Sequence, residues 1–355
     1  MTTVDNPARH SRVVPHCVEQ VDLTHAGGNM ITEKGQSKLV AMLFQVLAYR
    51  KKVSGMFIFL LVLMVGVGIL NPDFLNFMNV INMLRSISFL SIAALGMTLI
   101  LVGGGLDLSV GSVIGLGGMT TGLMLQAELP VLVAILAGLL TGALVGLFNG
   151  LVITKAKIPP LIVTLGSLYM ARGVVLVMTK GRPVYPFPDA FNAIGMGAFM
   201  GVPYSVFFMV ILAMLFHILL SRTIYGRSIY AIGGNEETAR NSGIPVDAVK
   251  IASYIIVSIL AAFTGILMSA RMNSAVPNSG EGWELRVIAS VIIGGTSMFG
   301  GVGTIGGTII GASVMSVLST AMIMLRISAY WQNIVVGAII ILAVGIDQHR
   351  RAATK

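Results

Sequence analysis

With 355 residues, of which 55% are hydrophobic and only 10% charged, and a mean hydropathy of +0.90, the chain falls outside the soluble globular class, where roughly a quarter of residues are charged. A formal net charge of +9 in a soluble protein would suggest nucleic acid; here the basic residues gather in a few loops and ends, the distribution that membrane topology imposes. The one cysteine, Cys17, excludes a disulfide framework or a CxxC metal motif within a single chain.

Residues 1–52 are polar and basic and contain no apolar signal-peptide core. Met30 is followed by ITEKGQSK, which reads as a normal protein start, so residues 1–29 are expected to be an extension or an over-called gene start. Residues 38–49 suit an interfacial amphipathic helix. It ends at Arg50, Lys51 and Lys52, a basic cluster that places the N-terminus in the cytoplasm.

A span needs about 20 apolar residues. Candidates are residues 54–70, 87–102, 109–125, 131–153, 161–178, 203–220, 251–270, 285–298, 304–325 and 331–346. The expected fold class is therefore all-α, a polytopic transmembrane bundle of about ten spans, some broken or re-entrant. The transmembrane domain is expected over residues 53–347, with a short cytoplasmic tail at 348–355. An inside start puts Lys155 and Lys157, the charged loop at 221–250, and the tail with Arg350, Arg351 and Lys355 on one side. That basic bias supports an even number of spans and cytoplasmic termini.

Two glycine-rich breaks interrupt the apolar pattern: VGGGLDLSVGSVIG at 102–115 and IGGTSMFGGVGTIG at 293–306. They share a leading glycine pair and a later Val-Gly followed by a hydroxyl residue, which reads as a possible repeat. Their offset of six spans preserves orientation and does not fit an inverted repeat of two five-span halves.

The longest polar interruption is GRSIYAIGGNEETARNSGIPVDAVK, 226–250. Gly233 and Gly234 break the preceding structure. Asn235 can cap a short helix over 236–241, Glu236 and Glu237 favour its first turn, and Gly243 with Pro245 ends it. Asp107 and Ser109 sit in the first break. They read either as an intramembrane functional pair or as caps of the following helix. Asn149 reads as a donor to a hydroxylated substrate or as a link between helices. Arg172 faces a cavity or snorkels outward. His217 has no partner at metal spacing and is expected to be packed. Glu281, Trp283, Glu284 and Arg286 crowd the outer mouth, to meet a partner or to anchor a helix at the interface. No phosphate loop, HExxH or GxSxG motif occurs, so no catalytic residue and no metal site is expected.

Four ordered segments resemble the membrane permease subunits of bacterial ABC sugar importers, the ribose-type group: GGGLDLSVGS (103–112), GLFNGLVITKAKIPPLIVTLGSLYMARG (146–173), YGRSIYAIGGNEETARNSGI (225–244) and GEGWELRVIASVIIGGTSMFGGVGTIGGTIIGA (280–312). One departure is Glu237-Thr238-Ala239, where an alanine-rich helix start is expected. The resemblance implies a permease in the bacterial inner membrane that works with a second permease, identical or different. A periplasmic sugar-binding protein and cytoplasmic ATPase subunits, which carry the ATP and Mg, complete the assembly. No cofactor in this chain and no nucleic-acid partner is implied. It further implies an ATPase-coupling loop including Gly234, Asn235, Glu236, Glu237, Ala239, Arg240 and Gly243. Asp107, Ser109 and Asn149 become candidates for the substrate pathway, and Glu281, Trp283 and Glu284 for the binding-protein side. The substrate would be a neutral monosaccharide, ribose or a related pentose or hexose. An ion-coupled secondary transporter and a non-transport scaffold or channel are the rivals; the scarcity of ionisable groups within the spans counts against ion coupling.

Overall fold

The computed structural model describes residues 55–352, so the N-terminal expectations (Cys17, the start at Met30, the interfacial helix at 38–49) lie outside the described residues. The chain runs through α1 (Gly55–Leu70), a 3-10 turn (Pro72–Leu75), α2 (Phe77–Val102), α3 (Val110–Gln126), α4 (Val131–Lys155), α5 (Pro160–Thr179) and α6 (Asp189–Met196). A two-stranded hairpin pairing Ala198–Phe199 with Val202–Pro203 follows. The rest is α7 (Tyr204–Arg222), α8 (Ile224–Gly234), α9 (Glu236–Asn241), α10 (Val246–Met272), α11 (Trp283–Ile293), α12 (Ile305–Met324) and α13 (Ala329–Ala352). It is an all-α multi-pass membrane protein: six of these helices are long and apolar enough to cross a bilayer, and three further apolar helices are shorter.

Helix α2 forms the centre and is buried from Ser88 through Val102. It begins at Phe77, ten residues before the predicted span at 87. Asn79, Asn82 and Arg85 dilute the apolar signal there, but each makes one side-chain hydrogen bond outside α2. The Asn79 amide donates to Phe74 O, Asn82 Oδ1 accepts from Arg271, and Arg85 donates to Met196 O. Asn76 caps the helix by accepting the Met78 amide.

Helix α10 lies antiparallel to α2: Arg271 near its end sits over the Phe89 ring, and the Tyr254 hydroxyl near its start donates to Leu106 O. Helix α4 packs along α10 through Gly138, Gly142, Gly146 and Gly150. A Cβ at any of the four would lie 2.8 Å or closer to atoms of α10 or of α3. Leu132, Leu136, Leu140 and Leu144 lie on the opposite face and are exposed. One helix thus reads small inward and large outward, the pattern that lets backbones approach where lipid supplies no hydrophobic drive. His217 lies exposed on α7 rather than packed as expected, because the buried residues of α7 are Ser205, Ala213, Phe216 and Leu220 and position 217 falls off that face.

The two glycine breaks close their helices alike. Gly103–Gly105 donate back to Leu99, Leu101 and Ile100, and Gly294–Thr296 to Ser290, Ile292 and Val291. These are Schellman closures whose second residues, Gly104 (φ 75°) and Gly295 (φ 96°), need the left-handed region. The packing, however, shows a different repeat from the one the glycine pairs suggested. Helix α10 packs on α3 and α4, and α3 on α4 and α5; correspondingly α2 packs on α11 and α12, and α11 on α12 and α13. In sequence, 105–118 (GLDLSVGSVIGLGG) aligns with 282–295 (GWELRVIASVIIGG), so Asp107 stands opposite Glu284. Because α2 and α10 are antiparallel, the two units are inverted. The second glycine pair belongs opposite Gly117–Gly118, which a search for matched breaks could not see.

Candidate functional site

At one end of the bundle the polar island folds into α8 and α9. Helix α8 runs through Gly233 and Gly234 instead of breaking before them, and ends at Asn235. Gly233 is a contact residue: an added Cβ would sit 1.8 Å from Val102 O and 2.5 Å from Gly301 N. Asn235 accepts the Thr238 amide at 2.9 Å and opens α9 over the expected residues. Ala239 is buried beneath it. The Ile244 and Gly243 amides return to Ala239 O and Arg240 O, with Gly243 at φ 81°.

A relay of ion pairs braces this short helix. Lys155 at the end of α4 meets Asp247 at 3.2 Å, Asp247 meets Arg240 at 2.8 Å, Arg240 meets Glu236 at 3.6 Å, and Glu236 meets Lys250 at 2.6 Å. The hydrogen bond and charge of Asp247, with Glu236 beside it, raise the Arg240 guanidinium above its ordinary range, and the hydrogen bonds from Arg240 and Lys155 hold the Asp247 carboxyl below its own. Glu237 stands exposed outside the relay. The link from Asp247 at the start of α10 to Lys155 at the end of α4 was not legible in the sequence, since the two lie ninety-two residues apart.

Asp107, Ser109 and Asn149 come together as one buried chain. Asp107 Oδ1 accepts the Ser109 amide at 2.8 Å and its hydroxyl at 2.6 Å. Asn149 on α4 donates to Ser109 Oγ at 3.0 Å and accepts from Ser167 on α5. Ser109 precedes α3 but makes no side-chain cap bond, so the capping expectation is met only by the Asp107 carboxylate holding the Ser109 amide. The second Asp107 oxygen has no partner among the described residues. Asn149 links two helices and the break, one of its two expected roles.

At the other end, segment 273–282 folds back between α10 and α11. Asn273 accepts from the Phe187 amide and from Asn192, and Ala275 exchanges two backbone bonds with Val184. Arg172 is half-buried and does not line the cavity described below. It donates to the carbonyls of Pro277 and Ser279 at 3.0 and 2.9 Å, clamping the fold-back to α5. Glu284 is half-buried against Gly111, Glu281 is exposed, and Trp283 lines a cavity of about 460 Å³. The cavity lies between α2, α10, α11 and α12 and is walled by Arg271, Arg286, Ser316, Ser319 and Thr320 among others. Asp107, Ser109 and Asn149 do not line it. Sequence reasoning missed its α12 wall, although 316, 319, 320 and 323 follow helical i, i+3, i+4, i+7 spacing. Among the described residues, no group of three or more His, Cys, Asp or Glu could hold a metal ion.

The chain is 41% identical over 301 residues to the ribose import permease protein of Bacillus subtilis, covering 84% of this chain and 93% of that one. It is 40% identical to the ribose import permease protein of Escherichia coli K12, covering 82% and 92%. It is 34% identical to the L-arabinose ABC transporter permease protein of Azospirillum brasilense, covering 84% and 88%. No solved structure matches. The family described as branched-chain amino acid transport system / permease component matches residues 79–344, three quarters of the length, and the chain belongs to that permease family.

Proposed function

We propose that this chain is the transmembrane subunit of an ATP-driven importer, passing a neutral monosaccharide, ribose or a related pentose or hexose, across the bacterial inner membrane. The sugar is handed over by a periplasmic binding protein, and ATP with Mg is held by separate ATPase subunits. The names of its relatives support the sugar and the ABC mechanism over ion coupling. In this reading the chain crosses the bilayer ten times, by α1 to α5, α7 and α10 to α13, with α11 and its glycine-rich extension counting as one crossing. Both termini and the α8–α9 end then face the cytoplasm, beside Lys155, Lys157, Arg222 and Arg227.

The observation that carries the proposal is α9: a short helix capped at both ends, braced by four ion pairs and presented at one end of the bundle. Gly234, Asn235, Glu236, Glu237, Ala239, Arg240 and Gly243 make it a rigid plug for an ATPase groove, able to pass on a rigid-body displacement. The buried chain Asp107–Ser109–Asn149 serves the pathway indirectly, by fixing where α3 begins. Glu281 and Trp283 face the side where the binding protein docks.

The brace dictates the test. Reversing Arg240 and Glu236 together would disrupt the relay as well as the surface. Glu237→Lys changes the exposed face alone. In the assembled importer it is expected to lower ATPase association and sugar uptake about tenfold, the equivalent of roughly 1.4 kcal/mol. Unchanged association and uptake would remove α9 from the coupling role.

A further inference from the structure

We propose that the cavity at the end opposite α9 is a monosaccharide-holding site contained within this one chain. Arg271 and Arg286 donate to the sugar oxygens, the α12 hydroxyls exchange hydrogen bonds with its hydroxyl groups, and Trp283 covers its apolar face. This rests on the importer reading and names the place and the residues that the reading leaves open.

Three observations carry it. The first is the size, about 460 Å³, within the roughly 300–1,000 Å³ of small-molecule sites. The second is the state of the two arginines. Both are half-buried. Arg286 has no hydrogen bond or ion pair from its guanidinium among the described residues; Arg271 makes one hydrogen bond, 3.4 Å to Asn82 Oδ1, and lies 5.8 Å from the Phe89 ring centroid, but meets no carboxylate among the described residues. Guanidinium groups carry only donors, and leaving them poorly paired inside a membrane protein is costly. A ligand that completes the site must bring acceptor oxygens.

The third observation is α12. Ser316, Ser319 and Thr320 place three hydroxyls on one face of an otherwise apolar helix, turned to this cavity. The Thr320 hydroxyl donates to Ser316 O, which leaves its lone pairs open to a donor. Ser319 Oγ has no bond among the described residues. A purely anionic ligand would use the arginines and leave the hydroxyl face and the indole idle. A polyhydroxylated ring with one apolar face uses all three. The walls come from α2, α10, α11 and α12 of one chain.

The chain contains two tryptophans, Trp283 and Trp331, so Trp331→Phe makes Trp283 the sole tryptophan reporter in the cavity wall. The full-length purified permease carrying that change would be titrated with ribose, xylose, arabinose, galactose and allose, and with a sugar acid. The expected result is a saturable change in Trp283 emission with at least one neutral sugar. Arg286→Gln should weaken it about tenfold, and Ser319→Ala, a smaller excision, by less, with thermal unfolding of both variants unshifted. No saturable change with any of the five, half-saturation that neither variant moves, or a response to the sugar acid alone overturns the assignment. Uptake by the assembled wild-type importer is scored separately. A cavity that responds to sugar in an importer that moves none would keep the site and sink the transport reading.

Discussion

Asn149 shows how one side chain can tie three segments together. Its amide donates to Ser109 beside the break and accepts from Ser167 on α5, so both ends of the group are used. Asn149→Leu fills similar space and strips both bonds, leaving two buried hydroxyls and the Asp107 loop less restrained. The expected loss is about 1–2 kcal/mol, read as a lower unfolding temperature of the purified protein in detergent. Asn149→Gln should recover part of it, which a change in packing alone would not. The residue types of this cluster were visible in the sequence, and so was the option that Asn149 links helices. What could not be read was the order of the chain, because Asn149 lies forty residues from Ser109 and eighteen from Ser167. Arg172 is a harder case. In sequence it is a cation in an apolar run, and only the fold-back of 273–282 reveals the two carbonyls that hold it.

Individual helices were legible to the extent that their periodicity and caps are local. The bounds of α9 follow from Asn235, Glu236, Glu237 and Gly243 because each acts within a turn or two of its own position. The start of α2 did not, because its first turns are polar and depend on α10 and α6 for their hydrogen bonds. Helix α4 is legible in retrospect: glycine at every fourth position against leucine at every fourth position is a seam and a surface written on one helix. Gly142→Leu would drive a side chain into Ser258 O, which lies 2.6 Å from a mere Cβ. It is expected to prevent α4 from closing on α10, seen as loss of folded protein from membrane extracts. Gly173→Ala on α5, where nothing lies within 4 Å of the new atom, should leave yield and stability unchanged. If the two substitutions behave alike, the seam is not what holds this pair.

For the whole molecule, the proposed orientation makes a direct prediction. In a Cys17→Ser background, a cysteine at Glu237 should react with a membrane-impermeant thiol reagent only after the cells are opened, and one at Glu281 in intact cells. The reverse pattern, or labelling of both in intact cells, would invert or refute the arrangement. The all-α multi-pass class was evident from composition. The inverted relation between α2–α5 and α10–α13 was not, because its sequence trace is a short run of matches, Gly105 with Gly282, Leu108 with Leu285 and Val110 with Val287. It is diluted because the fold-back between α10 and α11 (273–282) is longer than the connection between α2 and α3 (103–109) to which it corresponds.

The contact at Gly233 has a mechanical meaning. Helix α8 presses its backbone against both the end of α2, at Val102, and the second glycine break, at Gly300 and Gly301. Gly301 in turn donates to Val102 O at 2.8 Å. The two inverted units are therefore geared to one shaft. Under the proposed coupling role, a displacement passed to α9 would reach the approach to α3 and the approach to α12 through this one contact. A side chain at 233 would break that contact without touching the caps or the ion pairs of α9.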